Sequence, residues 1–129
     1  EALIANQAAD IHAMHDPTEG GLATGLFELA RVSNTGVMIY EEKIKCLEEA
    51  RILCSEYELD PMGVIASGAL LIVVDPDDRE AVTSKLVQNG IECSVIGKLT
   101  DKEDGLKMII DGKSRDLPLF EVDEVTKII

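Results

Sequence analysis

The sequence contains no tryptophan, two phenylalanines and two tyrosines, although 46% of its 129 residues are apolar. The core must therefore be aliphatic, built from Leu, Ile, Val and Ala. Aromatic platforms on which the bases of a single-stranded nucleic acid could stack are excluded as well. Basic residues are also scarce. The formal net charge is −13, and so acidic a surface repels a phosphate backbone. We expect a globular domain without a nucleic-acid partner.

Cysteine and histidine are too few and too scattered to indicate a metal site. Cys46, Cys54 and Cys93 are odd in number and lack the spacing of zinc ligands, which is typical of free thiols in a reducing cytosol. We therefore expect a cytoplasmic protein. His12 and His15 have no further zinc ligands near them in sequence. We interpret His12 as structural and His15 as a candidate for the rim of a site.

Long apolar runs are absent too. No segment approaches the length of a membrane span, and nothing resembles a signal peptide, so we expect no membrane partner. The sequence begins with Glu1 inside an apparent helix. We expect residues 1–129 to be one domain of a longer protein.

Hydrophobic periodicity predicts an α/β domain with one mixed sheet on which helices pack, including ferredoxin-like elements. The predicted helices cover about 1–9, 19–33, 47–57 and 75–88, and the predicted strands 11–14, 37–40, 70–74 and 93–97. Residues 106–119 are predicted to form a hairpin around Asp111 and Gly112. Because the run 70–74 is continuously apolar, we expect it to be an interior strand with both faces covered.

The most informative segment is residues 15–22, His-Asp-Pro-Thr-Glu-Gly-Gly-Leu. Asp16 is placed to cap a helix, Pro17 to occupy its first position and Glu19 to complete a capping box. Gly20 and Gly21 each cost about 1 kcal/mol inside a helix, and in return they let another atom approach the backbone. Bare N–H groups at such a helix start suit a phosphate.

A purely structural interpretation of the same segment is equally open. Asp-Pro-x-Glu is a common helix start, and paired glycines also allow another element of the protein to pack closely. The segment is neither a Walker loop nor a dinucleotide-binding fingerprint. With so acidic a surface, an anion would need a metal ion or basic groups from elsewhere.

In its context, the segment resembles the C-terminal domain of the aminoimidazole ribonucleotide synthetase superfamily. The resemblance covers about residues 1–100 and is strongest to the hydrogenase maturation branch. Residues 13–23 are similar to that branch's Ala-Met-Arg-Asp-Pro-Thr-Arg-Gly-Gly-Leu-Ala, and residues 41–44, Cys54 and 59–61 also fall where the branch has similar residues.

The resemblance implies the C-terminal domain of a two-domain, ATP-using enzyme that is usually a homodimer. ATP would lie between this domain and an N-terminal domain that is absent here, so that the isolated domain would be inactive. Such enzymes phosphorylate an oxygen of a small-molecule substrate or transfer phosphate outright. Candidate residues follow from matching positions: Asp16 and Glu19 for Mg²⁺, and Thr18, Gly20, Gly21, Ser67 and Gly68 for the nucleotide. The resemblance assigns no catalytic residue.

Two departures from the hydrogenase maturation branch bear on the substrate. That branch ends in Pro-Arg-Ile-Cys, whereas this sequence ends in Lys127-Ile128-Ile129. It also has Ala66-Ser67-Gly68 where the branch has Ala-Asn-Glu-Gly. We therefore expect a substrate other than a carbamoyl group carried on a terminal cysteine. The alternative is a non-catalytic α/β module that binds a small molecule or dimerises, in which Asp16 and Glu19 only cap a helix.

Overall fold

The computed structural model describes all residues 1–129 and confirms a mixed α/β fold. The four α-helices are α1 (Ala2–Ala8), α2 (Gly21–Ser33), α3 (Glu48–Glu56) and α4 (Arg79–Gln88). The six strands are β1 (Ile11–His15), β2 (Gly36–Tyr40), β3 (Leu71–Val74), β4 (Gly97–Thr100), β5 (Leu106–Ile110) and β6 (Lys113–Asp116). None of the helices combines the length and the apolarity needed to cross a membrane.

The main sheet has four strands in the order β4-β2-β5-β6. Strands β2 and β5 run parallel, and the two outer pairs are antiparallel, so the predicted mixed sheet is confirmed. The predicted hairpin is confirmed as β5 and β6. Its two-residue turn has positive φ at Asp111 and Gly112, as a type I′ turn requires.

Strands β1 and β3 form a second, separate sheet, an antiparallel ribbon that the sequence pattern does not predict. The strand expected over 70–74 is present, but the expectation of an interior strand is wrong, because β3 has β1 as its single strand partner. Strand β4 begins at Gly97, although the apolar pattern places a strand at 93–97. Consequently β3 and β4 do not share a sheet across α4.

The apolar core has two parts. The larger part joins α2 to the main sheet and to the ribbon through Leu26, Val37, Ile39, Leu71 and Met108. The smaller part joins α1 to α4 through Ala5, Val82 and Leu86, against one face of the ribbon. The ribbon is therefore packed between α2 and the α1–α4 pair, and its His15 end leads directly into the segment 16–20.

Candidate functional site

Two loops meet where β1 ends and β3 begins. Loop A is residues 16–20, between β1 and α2, and loop B is residues 60–70, between α3 and β3. The carbonyl oxygen of Thr18 accepts hydrogen bonds from the N–H of Gly21 at 3.1 Å and from the N–H of Ala66 at 3.3 Å. The structure thus brings Thr18 next to the Ser67–Gly68 segment.

Gly21 lies where the backbone of loop B packs against the start of α2. Its φ is +66°, and a Cβ atom there would lie 2.5 Å from the Met62 carbonyl oxygen and 2.6 Å from that of Val64. The N–H of Ala23 also donates to the Met62 carbonyl at 3.0 Å. The atoms that closely approach Gly21 are therefore carbonyl oxygens of the protein's own backbone.

The expected helix start is wrong in detail. Helix α2 begins at Gly21, and its N-cap is Gly20 in the left-handed region with φ of +75°. Asp16 is therefore not the cap, and the predicted capping box with Glu19 is not formed. A two-residue turn at Glu19 and Gly20 separates Pro17 from the helix. The sequence pattern fails here because it does not show that the chain turns through two positive-φ glycines.

The N–H groups at this helix start are also less free than predicted. The N–H of Gly20 donates to Oδ2 of Asp123 at 2.8 Å. The N–H groups of Gly21 and Ala23 donate to backbone carbonyls. Gly20 and Gly21 are both buried. A ligand on this surface would therefore meet side chains and exposed backbone of the two loops before it met these amides.

The exposed groups of the two loops are polar or acidic. Asp16, Thr18 and Glu19 of loop A and Ser67 and Gly68 of loop B are all exposed. Hydrogen bonding from its own backbone N–H, and then from the Thr18 side chain, lowers the pKa of Glu19 below its ordinary range. Glu19 is therefore ionised at neutral pH.

Asp16 and Glu19, the candidate magnesium ligands, are two exposed carboxylates of loop A. No three His, Cys, Asp or Glu side chains of the chain lie close enough together to hold a metal ion. Mg²⁺, however, is commonly held by one or two carboxylates together with water and phosphate oxygens. Asp16 and Glu19 would suffice as the protein's share of such a set.

Two residues of the site region were missed from sequence. The Asp123 carboxylate reaches Gly20, and Oε2 of Glu124 accepts the N–H of Asp60 at 2.9 Å. Glu124 is only 6% exposed and also pairs with Lys127 at 2.6 Å. Asp123 accepts the N–H of Val125 as the cap of a short 3₁₀ helix, Glu124–Lys127, and that local pattern was the one sequence signal available.

The other candidate residues lie apart or are already satisfied. His15 lies at the end of β1, with its Nε2 atom 2.8 Å from Glu28, whereas His12 faces Asp75 at the other end of the ribbon. The three cysteines are free, and burial raises the pKa of the Cys54 thiol, which keeps it neutral. Cys54 is buried and thus behaves as a small apolar side chain.

Two surface cavities of about 310 Å³ each lie away from the two loops. The first is formed at the C-terminal end of α2 by residues that include Phe27, Arg31 and Lys102. The second is formed beside the end of α4 by residues that include Lys45, Ile91 and Cys93. Neither is lined by a residue of loop A or loop B.

Comparison with known proteins identifies the family. The family model for the C-terminal domain of AIR synthase related proteins matches residues 1–109. This chain belongs to that family. The expected resemblance is confirmed, and it extends into β5.

Relatives of known name belong to the hydrogenase maturation branch. A putative hydrogenase expression/formation protein of Methanocaldococcus jannaschii is 32% identical over 120 residues, which are 90% of this chain and 36% of that protein. Carbamoyl dehydratase HypE of Rhizobium leguminosarum bv. viciae is 37% identical over 97 residues, 74% of this chain and 28% of the relative. The chain therefore spans about a third of the length of these relatives.

Solved structures share the fold. The hydrogenase maturation protein HypE in complex with ATP superposes with a TM-score of 0.80 at 30% identity, covering 89% of this chain and 37% of that one. HypE of E. coli superposes with a TM-score of 0.85 over 98% of this chain and 41% of that one. Its identity of 23% supports the fold alone. In both comparisons this chain covers about two fifths of the length of the solved chain.

Proposed function

We propose that this domain forms one wall of an ATP site in a HypE-like enzyme whose other wall is an N-terminal domain. The observation that carries the proposal is the meeting of loop A and loop B, joined by the bond from the Ala66 N–H to the Thr18 carbonyl. It places two separate polar segments on one surface. A HypE that is 30% identical over 89% of this chain has been solved with ATP, which supports a nucleotide there.

In this proposal, Asp16 and Glu19 hold Mg²⁺ that is bound together with the phosphates. The hydroxyls of Thr18 and Ser67 and the exposed backbone of Gly68 contact the nucleotide. Gly20 and Gly21 shape the turn from loop A into α2, since both are buried and have positive φ. With a net charge of −13, the domain needs the metal ion and basic groups of the N-terminal domain to offset the phosphate charge.

The reaction we propose is ATP-dependent activation of an oxygen atom of a small-molecule substrate by phosphorylation. Magnesium would offset charge on the transferred phosphoryl group, while the loops hold the nucleotide in place. We propose a homodimer as the working form of the full-length enzyme.

The test is a titration of the full-length protein with MgATP. Asp16 is exposed and does not cap α2, so Asp16→Asn should leave the free energy of unfolding within about 0.5 kcal/mol of wild type. Losing a metal-binding charge should weaken MgATP binding by at least about tenfold, because an interaction with a charged group contributes roughly 1.5–3 kcal/mol.

The matched control is Asp10→Asn. Asp10 is also exposed, but it lies before the other end of β1, roughly 20 Å away at about 3.4 Å per residue. This variant should bind MgATP like wild type. Equal affinities of wild type and Asp16→Asn would remove Asp16 from the site, and absence of MgATP binding by wild type would overturn the proposed function.

A non-catalytic interaction module is the second candidate, favoured by the exposed apolar side chains of α3 and its flanks. Leu47 is 71% exposed, Leu53 58% and Tyr57 52%. Large apolar side chains this exposed on one segment are more common where another protein segment covers them. This candidate predicts a full-length protein that binds no MgATP and that loses self-association on Leu53→Asp, as sedimentation would measure.

A further inference from the structure

The C-terminal tail, residues 117–129, returns from β6 to the two loops. Leu117 is buried in the main core and anchors the start of the tail. The Phe120 ring then packs on Gly63 of loop B so closely that a Cβ atom there would lie 2.6 Å from it. The family match ends at residue 109, so it assigns nothing to this tail.

Two adjacent carboxylates of the tail bind one loop each. Asp123 accepts the Gly20 N–H of loop A at 2.8 Å, across 103 residues of sequence. Glu124 accepts the Asp60 N–H of loop B at 2.9 Å, and its own N–H donates to the Gly63 carbonyl at 3.0 Å. The tail therefore connects the two loops to one another.

These bonds are well placed to fix loop geometry. A carboxylate that accepts a backbone N–H makes a stronger bond than a neutral acceptor does. Gly20 is the point at which loop A turns into α2, with φ of +75°, and it immediately follows Glu19. Loop B is fixed at Asp60 and Gly63, a few residues before Ser67. Movement of either end would shift the groups proposed to contact MgATP.

We propose that Asp123 and Glu124 are positioning residues of the ATP site, which hold loops A and B at the separation that MgATP requires. This inference rests on the proposed function. Neither residue contacts the nucleotide: each acts through the backbone N–H that it holds.

The decisive variant is Asp123→Ser in the full-length protein. Serine is a good cap, so it keeps the bond to the Val125 N–H, but its single oxygen cannot also serve Gly20. We expect the KM for ATP to rise about tenfold, because losing one charge-assisted hydrogen bond changes an equilibrium constant by about that factor. The kcat at saturating ATP should stay within about twofold of wild type.

Thr126→Val is the matched control. It removes the bond from the Thr126 hydroxyl to the Asp123 carbonyl at 2.7 Å, so it loosens the same turn without touching either loop. We expect a lowered melting temperature and an unchanged KM for ATP. Should Asp123→Ser fail to fold, Glu124→Gln takes its place. It keeps an oxygen for the Asp60 N–H but loses the charge, and a KM increase of about threefold is expected.

The outcomes separate the inference from the proposed function. If wild type uses ATP and Asp123→Ser changes only the melting temperature, as Thr126→Val does, the tail is merely structural and the inference is overturned while the proposed function stands. If Glu124→Gln is the variant used, an unchanged KM has the same meaning. If wild type itself neither binds nor uses ATP, both are overturned.

Discussion

Helix α2 is held in two different ways: by apolar packing toward the main sheet (the apolar side), and by contacts with loops A and B at its N-terminal end (the loop side). Toward the main sheet, α2 buries Leu26 and Ala30 against aliphatic side chains of β2 and β5. At its N-terminal end, the neighbouring loops are held by glycine contacts and by carboxylates that reach across 64 and 103 residues. The first side depends on apolar area and tolerates changes of polar groups. The second depends on a few directional contacts, each of which fixes the position of a loop.

The largest effect is expected from breaking the apolar side. Leu26 is 4% exposed, so Leu26→Ala should lower the free energy of unfolding by about 3–4 kcal/mol through lost burial and the cavity left behind. The control is Leu53→Ala on α3, where the side chain is 58% exposed and the change should stay below about 1 kcal/mol. Urea unfolding measures both. Equal losses would show that α3 is part of the core.

A somewhat smaller effect is expected at the loop side from Gly21→Ala. The added Cβ meets two carbonyl oxygens of loop B, and the left-handed backbone is itself strained for alanine, so a loss of about 2–4 kcal/mol follows. Gly112→Ala isolates the strain, because φ is +72° there but nothing lies within 4 Å of the new Cβ. It should cost about 1 kcal/mol. If Gly21→Ala lost no more free energy of unfolding than Gly112→Ala, loop B would not pack on α2 as described.

The smallest effect concerns the pH dependence of the loop side. The Asp60 N–H, and then Lys127, lower the pKa of Glu124 below its ordinary 4.5, against the opposing effects of burial and Asp123. A depressed folded-state pKa adds stability above the ordinary value, and this stability is lost as the pH falls through the folded-state pKa.

The matching measurement is urea unfolding of wild type and Glu124→Gln between about pH 6 and pH 3. Wild type should have the larger free energy of unfolding near pH 6. The difference between the two proteins should narrow as the pH falls below the ordinary pKa of Glu124. A gap that stays constant over the range would show that the Glu124 charge contributes nothing to the contact with loop B.

The elements of the apolar side were predictable because each repeats a local pattern. Leu26 and Ala30 recur at helical spacing, and Val82 and Leu86, four positions apart, mark the buried face of α4. The Asp111-Gly112 pair predicted its hairpin turn. In each case the residues that form the pattern lie close in sequence to the element that they predict, within about one or two helical turns.

The pairing of strands was not predictable in the same way. An apolar run such as 70–74 shows that a strand is buried but not which strand it pairs with. Strand β3 is covered by helices and by one strand only, and its apolar residues face both parts of the core. The pairing of β1 with β3 in a separate ribbon is therefore known only from the structure.

The candidate site was predictable as a segment but not as a geometry. The motif at 15–22 and the Ser67–Gly68 pair do lie together, yet the interpretation of Asp16 as a helix cap is wrong. Pro17 is buried against Gly25 of α2 and does not begin the helix. Asp123 and Glu124 escaped notice because their partners lie far away in sequence. Whether these residues bind MgATP stays a prediction.

Hydrogen exchange of the full-length protein, with and without MgATP, shows which amides the nucleotide protects. If loops A and B form one wall of the ATP site, nucleotide should slow exchange at amides of 16–22 and 66–69, and leave the exposed hairpin turn at Asp111 and Gly112 unchanged. MgATP binding that leaves the exchange of both loops unaltered would rule out the proposed ATP site, because the nucleotide would then lie elsewhere on the protein.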